Sequence, residues 1–211
     1  YSDGYYLEGQ DYWRLAGIFD DVWLYATPSV RLFDWYVVTD LDDTYTDADL
    51  KLQVDIKKYT EEVSIDYRLK VQLWDDRKEL VTELNSDPFK IESIGKKRLD
   101  LSRLIKNPKK WTSETPYLYT LKMSLLTMDG AEHDAIETRM GFKETEIRGE
   151  AFYLNGVLLK VNAQNSHMQH PEMGHAMTED IIRKDFEILK QFNFNAVRTS
   201  HYPPVNKYLE L

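Results

Sequence analysis

Histidine is unevenly distributed in this sequence. Four of its five histidines lie between positions 167 and 201, namely His167, His170, His175 and His201. Imidazole side chains can transfer protons near neutral pH, bind metal ions or form hydrogen bonds with a ligand. This part of the chain is therefore the first candidate for a functional site.

The spacing of the first three histidines allows two interpretations. Zinc sites often use closely spaced histidines, yet this sequence has no cysteine to accompany them. Pro171 and Gly174 lie among these histidines and predict a loop, which does not align two imidazoles as a helix face would. We therefore favour a polar loop or a sugar-contacting site over a zinc site.

Further candidate groups lie beside predicted elements. Arg198 and His201 lie at the end of a short apolar run. If they have no functional role, Arg198 would form a structural ion pair and His201 would be a turn residue. Asp11 precedes Trp13, and its alternative role is a capping or turn carboxylate beside a core aromatic. The 36 acidic residues are spread along the chain, so no catalytic carboxylate pair can be selected from sequence alone.

Several classes of function are disfavoured. A glycine-rich phosphate loop is absent, and Ser166 and Ser200 lack the flanking glycines of a nucleophile elbow. The formal charge of -9 argues against a nucleic-acid partner, because phosphate binding needs a concentrated basic face. No apolar run approaches the roughly 20 residues that span a bilayer, so no membrane partner is predicted.

The elements before position 148 are predicted to be strands. Apolar residues alternate with polar ones in several short runs, which is typical of half-buried strands, and turn residues such as Asp129-Gly130 separate them. About seven strands fit an immunoglobulin-like sandwich. The clearest of the runs are Leu50–Ile56, Tyr67–Trp74, Leu121–Leu125 and Ala135–Met140.

The pattern after position 148 differs. Asn155-Gly156 between apolar runs predicts a two-residue hairpin. Thr178 is expected to cap a helix ending near Phe192, and residues 195–200 predict a short buried strand. This order favours the start of a parallel α/β unit, which is incomplete because a full (β/α)8 barrel takes about 250 residues. Residues 1–28 hold two aromatic, strand-like runs.

Four sets of segments together resemble glycoside hydrolase family 2, in its β-galactosidase branch. The resemblance extends along essentially the whole chain with the segments in register. The segments are Ser2–Arg14 with Gly17–Val22; Asn107–Trp111 with Pro116–Tyr119; Gly141–Lys143 leading to Leu154–Gly156 and Asn165–Pro171; and Asn193–Pro203.

The resemblance implies a domain layout that agrees with the strand pattern. Residues 1–27 would be the C-terminal remnant of a jelly-roll sugar-binding domain, and residues 28–143 an immunoglobulin-like β-sandwich. Residues 144–211 would be the first part of a truncated TIM-barrel catalytic domain. The expected fold is thus mainly β, followed by the first βα elements of an incomplete barrel.

The resemblance also implies that the parent enzyme is a retaining β-galactosidase, acting on terminal β-galactose with one glutamate as acid and another as nucleophile. Both family glutamates would lie beyond Leu211, so this chain alone is expected to be inactive. β-Glucuronidase and β-mannosidase remain alternatives, since the segment ending at Pro203 resembles theirs too. Ser166, Met168 and Gln169 depart from many relatives, which bears on substrate preference.

Five positions match residues with roles in the family. Asp11 resembles the carboxylate that holds the galactose 6-hydroxyl and a sodium ion, while His167 and His201 resemble histidines that bind the sugar. Arg198 resembles the arginine beside the nucleophile, and Asn165 belongs to the same substrate-binding set. Sodium and magnesium are expected for the parent, together with a β-galactoside substrate and a homo-oligomeric state, and no tightly bound ion is expected in this chain.

A different class of function is a non-catalytic scaffold or carbohydrate-binding module. Immunoglobulin-like sandwiches often space other domains, and exposed tryptophans can form platforms for sugars. Trp35, Trp74 and Trp111 are the candidates, although burial in a core is the more common fate of tryptophan.

Overall fold

The computed structural model describes residues 3–6, 13–18 and 20–211. Contacts between residues divide the chain into two compact units. The first, Ala26–Leu159, is called the sandwich unit. The second combines Tyr1–Tyr25 with Lys160–Leu211 and is called the βα unit.

Seven antiparallel strands form the two sheets of the sandwich unit, as the alternating sequence pattern predicts. One sheet has the strand order β1-β2-β5 and the other β4-β3-β6-β7. This arrangement confirms the immunoglobulin-like sandwich. The strands are β1 (Val30–Leu41), β2 (Ala48–Lys58), β3 (Tyr67–Trp74), β4 (Leu80–Asn85), β5 (Gly95–Ile105), β6 (Tyr119–Thr127) and β7 (Glu132–Met140).

The sandwich core is built from alternate residues of these strands. Leu69 and Leu73 on β3 are fully buried, as are Leu121 and Leu125 on β6, because every second side chain of a strand faces the opposite sheet. Phe142, which follows β7, is also fully buried in this core. Each such side chain contributes about 1.5–3 kcal/mol through removal from water.

A small three-stranded sheet follows within the sandwich unit. It consists of β8 (Thr145–Arg148), β9 (Ala151–Leu154) and β10 (Val157–Leu158). Asn155 and Gly156 have φ values of 50° and 75°, so the predicted two-residue hairpin is confirmed. The Asn155 side chain accepts a hydrogen bond from the Glu144 N–H at 2.9 Å and donates one to the Trp111 carbonyl at 3.0 Å.

The βα unit contains the predicted strand, helix and strand. β11 (Ala163–Ser166) and β12 (Ala196–Thr199) pair in parallel, and α1 (Glu179–Gln191) connects them. A short helix α2 (Asn206–Glu210) follows. This order confirms the start of a barrel-type α/β arrangement after the sandwich.

The predicted helix start is confirmed, but the capping bond is not. Thr178 stands at the N-cap of α1 with an extended backbone, and its side chain forms no capping hydrogen bond. Glu179 and Asp180 still place negative charge at the positive end of the helix dipole. The two aromatic runs of residues 1–28 fall partly outside the described residues, and residues 13–18 and 20–28 form no strand.

None of the helices in the described part of the chain is long and apolar enough to cross a membrane.

Candidate functional site

The candidate site lies at the carboxyl ends of β11 and β12. Because the two strands are parallel, their carboxyl ends meet at one edge, which is where barrel enzymes carry functional groups. The strand register pairs Asn165 with Arg198 and Ser166 with Thr199. His167 follows β11 directly and His201 follows β12 by one residue, so both histidines emerge at this edge.

The two histidines contact each other edge to face. Their ring centroids are 5.4 Å apart and their planes are inclined by 89°. The Nδ1 atom of His167 is buried and has no hydrogen-bond partner among the described residues. An unpaired buried nitrogen is costly, so this atom is suited to bind a group that the described residues do not supply.

Arg198 is held at the same edge by neutral polar groups. Its Nη1 atom donates to the Ser200 Oγ at 3.2 Å and, more weakly, to the Asn165 Oδ1 at 3.4 Å. No described carboxylate forms an ion pair with this guanidinium. The positive charge is therefore positioned without being neutralised, which suits an interaction with an anion.

Ser200 is a supporting residue that the sequence alone did not identify. It is buried, and its backbone N–H donates to the Ser166 carbonyl at 2.9 Å. The peptide bond between Ser200 and His201 is cis. The sequence did contain a signal for this contact. Ser200 lies two residues after Arg198, and alternate residues of an extended chain lie on the same side.

A cavity of about 570 Å³ adjoins the site on the side of α1. Its wall combines polar groups, including Gln164 of β11 and His167 just after it, with Leu189 of α1 and Phe192 at the C-cap of that helix. Asp185 also lines this cavity, where burial raises the pKa of its carboxyl group. A sugar needs donors and acceptors fixed around its hydroxyl groups, so the polar strand ends are better suited to bind it than the apolar helix face.

The remaining histidines of the cluster make contacts within the fold. The His170 Nδ1 lies 3.3 Å from the backbone N–H groups of Glu172 and Met173 and accepts from them. His175 is buried, with its Nε2 atom 2.7 Å from the Trp13 carbonyl oxygen. The structure thus brings His167 and His201 together and uses His170 and His175 elsewhere.

Asp11 lies outside the described residues. The described residues contain no group of three or more histidine, aspartate or glutamate side chains that could hold a metal ion.

Two models of one protein family match the chain. Residues 30–143 match the model described as "Glycosyl hydrolases family 2". Residues 145–211 match the model described as "Glycosyl hydrolases family 2, TIM barrel domain". The first match lies within the sandwich unit, and the second includes residues 160–211 of the βα unit.

Curated relatives match along the whole chain. A β-galactosidase of Vibrio cholerae is 38% identical over 216 residues, which cover 100% of this chain and 21% of the relative. A β-galactosidase of Priestia megaterium is 36% identical, with coverage of 100% and 20%. The chain spans about a fifth of the length of the curated relatives it matches.

Solved structures share the fold. A Parabacteroides merdae β-glucuronidase is 27% identical with a TM-score of 0.74, and the match covers 87% of this chain and 22% of that one. A Bacteroides uniformis β-glucuronidase has a TM-score of 0.86 at 24% identity, with coverage of 95% and 25%. The latter likeness concerns the fold alone.

Proposed function

The chain belongs to glycosyl hydrolase family 2, and on that premise we propose that it is part of a longer, retaining β-galactosidase. The polypeptide would hydrolyse terminal, non-reducing β-galactose residues of β-galactosides. The main support is the 38% identity to a β-galactosidase along the full length of this chain. The two catalytic glutamates of the retaining mechanism would be supplied by other parts of the polypeptide, so this chain alone would be inactive.

The described residues suit the task of binding and stabilising rather than proton transfer to the leaving group. His167 and His201, whose rings contact each other edge to face at the strand ends, would form hydrogen bonds to sugar hydroxyl groups. Such contacts accelerate the reaction when they strengthen as the sugar ring approaches its oxocarbenium-like transition state. Asn165 and Ser200 would orient Arg198.

Arg198 would act on the nucleophile through its charge. A guanidinium close to a glutamate favours the ionised carboxylate, which is the form that attacks the anomeric carbon. Since no described carboxylate pairs with Arg198, its charge remains available for that role. Asp11 is proposed to contact the galactose 6-hydroxyl and a sodium ion, and sodium, magnesium and a homo-oligomeric state are proposed for the longer enzyme.

The decisive test compares aryl β-galactoside hydrolysis by the longer enzyme with that of its His201→Ala variant. We expect kcat/KM to fall about 100-fold, because a preorganised hydrogen bond to the transition state is lost. His133→Gln, a change on β7 of the sandwich unit, serves as the matched histidine control and should leave kcat/KM unchanged. Unaltered activity of His201→Ala would contradict the proposed role.

β-Glucuronidase is the second candidate, favoured by the likeness to the Parabacteroides merdae enzyme, and β-mannosidase remains a third. The same enzyme preparation should therefore be assayed on aryl β-glucuronide and aryl β-mannoside. A preference for either one over the galactoside would overturn the proposal of galactosidase activity while leaving the family membership intact.

A carbohydrate-binding role of the sandwich is a separate proposal with one supporting observation. Trp35 is 37% exposed, whereas Trp74 and Trp111 are half-buried and Lys143 lies 4.8 Å above the Trp111 ring. An exposed indole can stack on a sugar face. The test is a titration with galactosides in which tryptophan fluorescence is recorded for this unsubstituted chain and for its Trp35→Ala variant. The absence of a saturable change would leave the sandwich as a scaffold.

A further inference from the structure

Three positively charged side chains lie abreast on the sheet formed by β1, β2 and β5. The strand register pairs Arg31 of β1 with Lys57 of β2, and Lys57 with Lys96 of β5. The residues on both sides of Lys57 along β2 are buried. Since side chains alternate along a strand and paired residues share a face, all three point to the outer face of the sandwich. We call Arg31, Lys57 and Lys96 the basic row.

A bulge in β1 brings an aromatic ring into the basic row. The register shifts at Phe33, which has no partner on β2. Bulges change the direction of a side chain, and here the Phe33 ring lies among the charges. Its centroid is 4.2 Å from the Lys96 Nζ, 4.9 Å from the Lys57 Nζ and 5.6 Å from the Arg31 Cζ. The three cationic groups are thus concentrated around a single ring.

A second ring lies beside the same charges. The Tyr59 centroid is 4.3 Å from the Lys57 Nζ and 5.7 Å from the Arg31 Cζ. The negative face of an aromatic ring attracts a cation, so the two rings help to hold these side chains in place. The rings carry no net charge, however, and like charges opposite one another across strands repel. The basic row therefore retains an electrostatic cost that a bound anion would remove.

The two lysines of the basic row have no carboxylate partner. Neither Lys57 nor Lys96 forms an ion pair with a carboxylate of the described residues. The adjacent row across the same strands consists of Asp34, Asp55 and Arg98. Arg98 binds both carboxylate oxygens of Asp55, so one of the two negative charges in that row is already compensated. The basic row is thus a local concentration of positive charge on a chain with a formal charge of -9.

We propose that the basic row binds a compact oxyanion, namely a phosphate or sulfate group. Two ammonium groups and one guanidinium supply both positive charge and hydrogen-bond donors, which suits a tetrahedral group with about two negative charges. The row extends over three neighbouring strands, or roughly 10 Å, which accommodates one such group but not an extended polyanion. A free inorganic ion and an ester on a sugar offer the same chemistry. This site in the sandwich unit does not rest on the proposed hydrolysis.

Isothermal titration calorimetry of this chain tests the proposal. Sodium phosphate, added at an ionic strength held constant with sodium chloride, should give saturable binding to one site. Lys57→Gln and Lys96→Gln should each weaken binding about tenfold, because each removes one charge-assisted hydrogen bond. Lys57→Arg keeps the charge and should keep most of the affinity. Lys51→Gln, also on the outer face of β2 but at a lysine paired with Asp40, is the matched control and should bind phosphate normally.

Further titrations identify the source of the anion. Tighter binding of galactose 6-phosphate than of inorganic phosphate would assign the site to a sugar ester, and equal or weaker binding would assign it to the free ion. Either result supports the proposal. Absence of saturable binding at constant ionic strength would overturn it, as would binding that survives both glutamine substitutions.

A nucleic-acid ligand is a separate outcome of the same experiment. If a single-stranded oligonucleotide bound more tightly than inorganic phosphate, and the two glutamine variants lost that binding, the ligand would be an extended polyanion and the proposal would be wrong. None of these results depends on whether the longer enzyme cleaves galactosides, so the proposal and the proposed function fail independently.

Discussion

The sandwich unit and the βα unit bury different kinds of side chain. In the sandwich unit the buried residues are overwhelmingly apolar and come from both sheets. Among the described residues of the βα unit, the buried side chains are Ile182, Tyr208, His175 and Ser200. Two of these four are polar. The βα unit also contains all of the candidate sugar-binding residues that lie within the described part of the chain.

This difference has a physical basis. A closed pair of sheets removes apolar area from water on all its inner faces, and that term dominates stability. Polar side chains contribute little net stability when buried and are costly if left unpaired, but they fix position and direction. The sandwich unit is therefore organised for stability, and the βα unit for the placement of hydrogen-bonding groups.

The largest effect should come from the sandwich core. Phe142→Ala removes a fully buried ring that contacts Tyr119 edge to face at 5.1 Å, so we expect about 3–5 kcal/mol of destabilisation. Urea unfolding followed by tryptophan fluorescence measures it. Leu209→Ala, at an exposed position of α2, is the control and should stay within about 0.5 kcal/mol.

The corresponding change in the βα unit is Ile182→Ala. Ile182 is the fully buried side chain of α1, and its truncation should cost about 3 kcal/mol. If the two units are stabilised separately, hydrogen exchange should accelerate in residues 160–211 and remain unchanged in β3 and β6. Equal acceleration in the sandwich strands would show that the two units unfold together.

A smaller effect is expected at the hairpin turn. Asn155 has a φ of 50°, a conformation that alanine tolerates less well than asparagine. Asn155→Ala also removes the side-chain hydrogen bonds to Glu144 and Trp111. We expect the two effects together to lower the free energy of unfolding by about 2 kcal/mol. Asn155→Gly avoids the steric cost of the positive φ, because glycine has no Cβ, but it still lacks the two side-chain hydrogen bonds. Thermal unfolding of both variants separates the two causes, and identical losses would assign the whole effect to the side chain.

The smallest effect concerns an ion pair on the outer face of the sandwich. Arg98 donates to both oxygens of Asp55, at 2.7 and 3.1 Å, and this hydrogen bonding lowers the pKa of the Asp55 carboxyl group. A carboxyl with a lowered folded-state pKa adds stability above its unfolded pKa of about 3.9, and that stability is lost as pH falls through the folded value. Solvent around the Arg98 side chain screens this pair, so we expect its contribution to be the smallest of the four effects.

The measurement is the stability of the parent protein and Arg98→Ala between pH 7 and pH 2. The difference between them should be constant above about pH 5 and shrink toward low pH, because the protonated carboxyl no longer needs the guanidinium. A difference that grows as the pH falls would contradict this linkage.

The local elements could be predicted from sequence because they depend on short-range effects. Alternation with period two identified β3 over its full length, Asn155-Gly156 identified the hairpin, and residues after Thr178 identified α1. The family resemblance also named His167 and His201 from their motifs. These signals reside in neighbouring residues, so no tertiary information was needed.

The partners of these elements could not be predicted in the same way. That Arg198 meets Ser200 and Asn165, and that His175 reaches the Trp13 carbonyl 162 positions away, depends on which segments come together after folding. Thr178 shows the same limit, since its residue type suits a cap but its side chain makes no such bond. Periodicity and turn sterics act between near neighbours and determine elements, whereas packing between distant segments decides which polar groups meet.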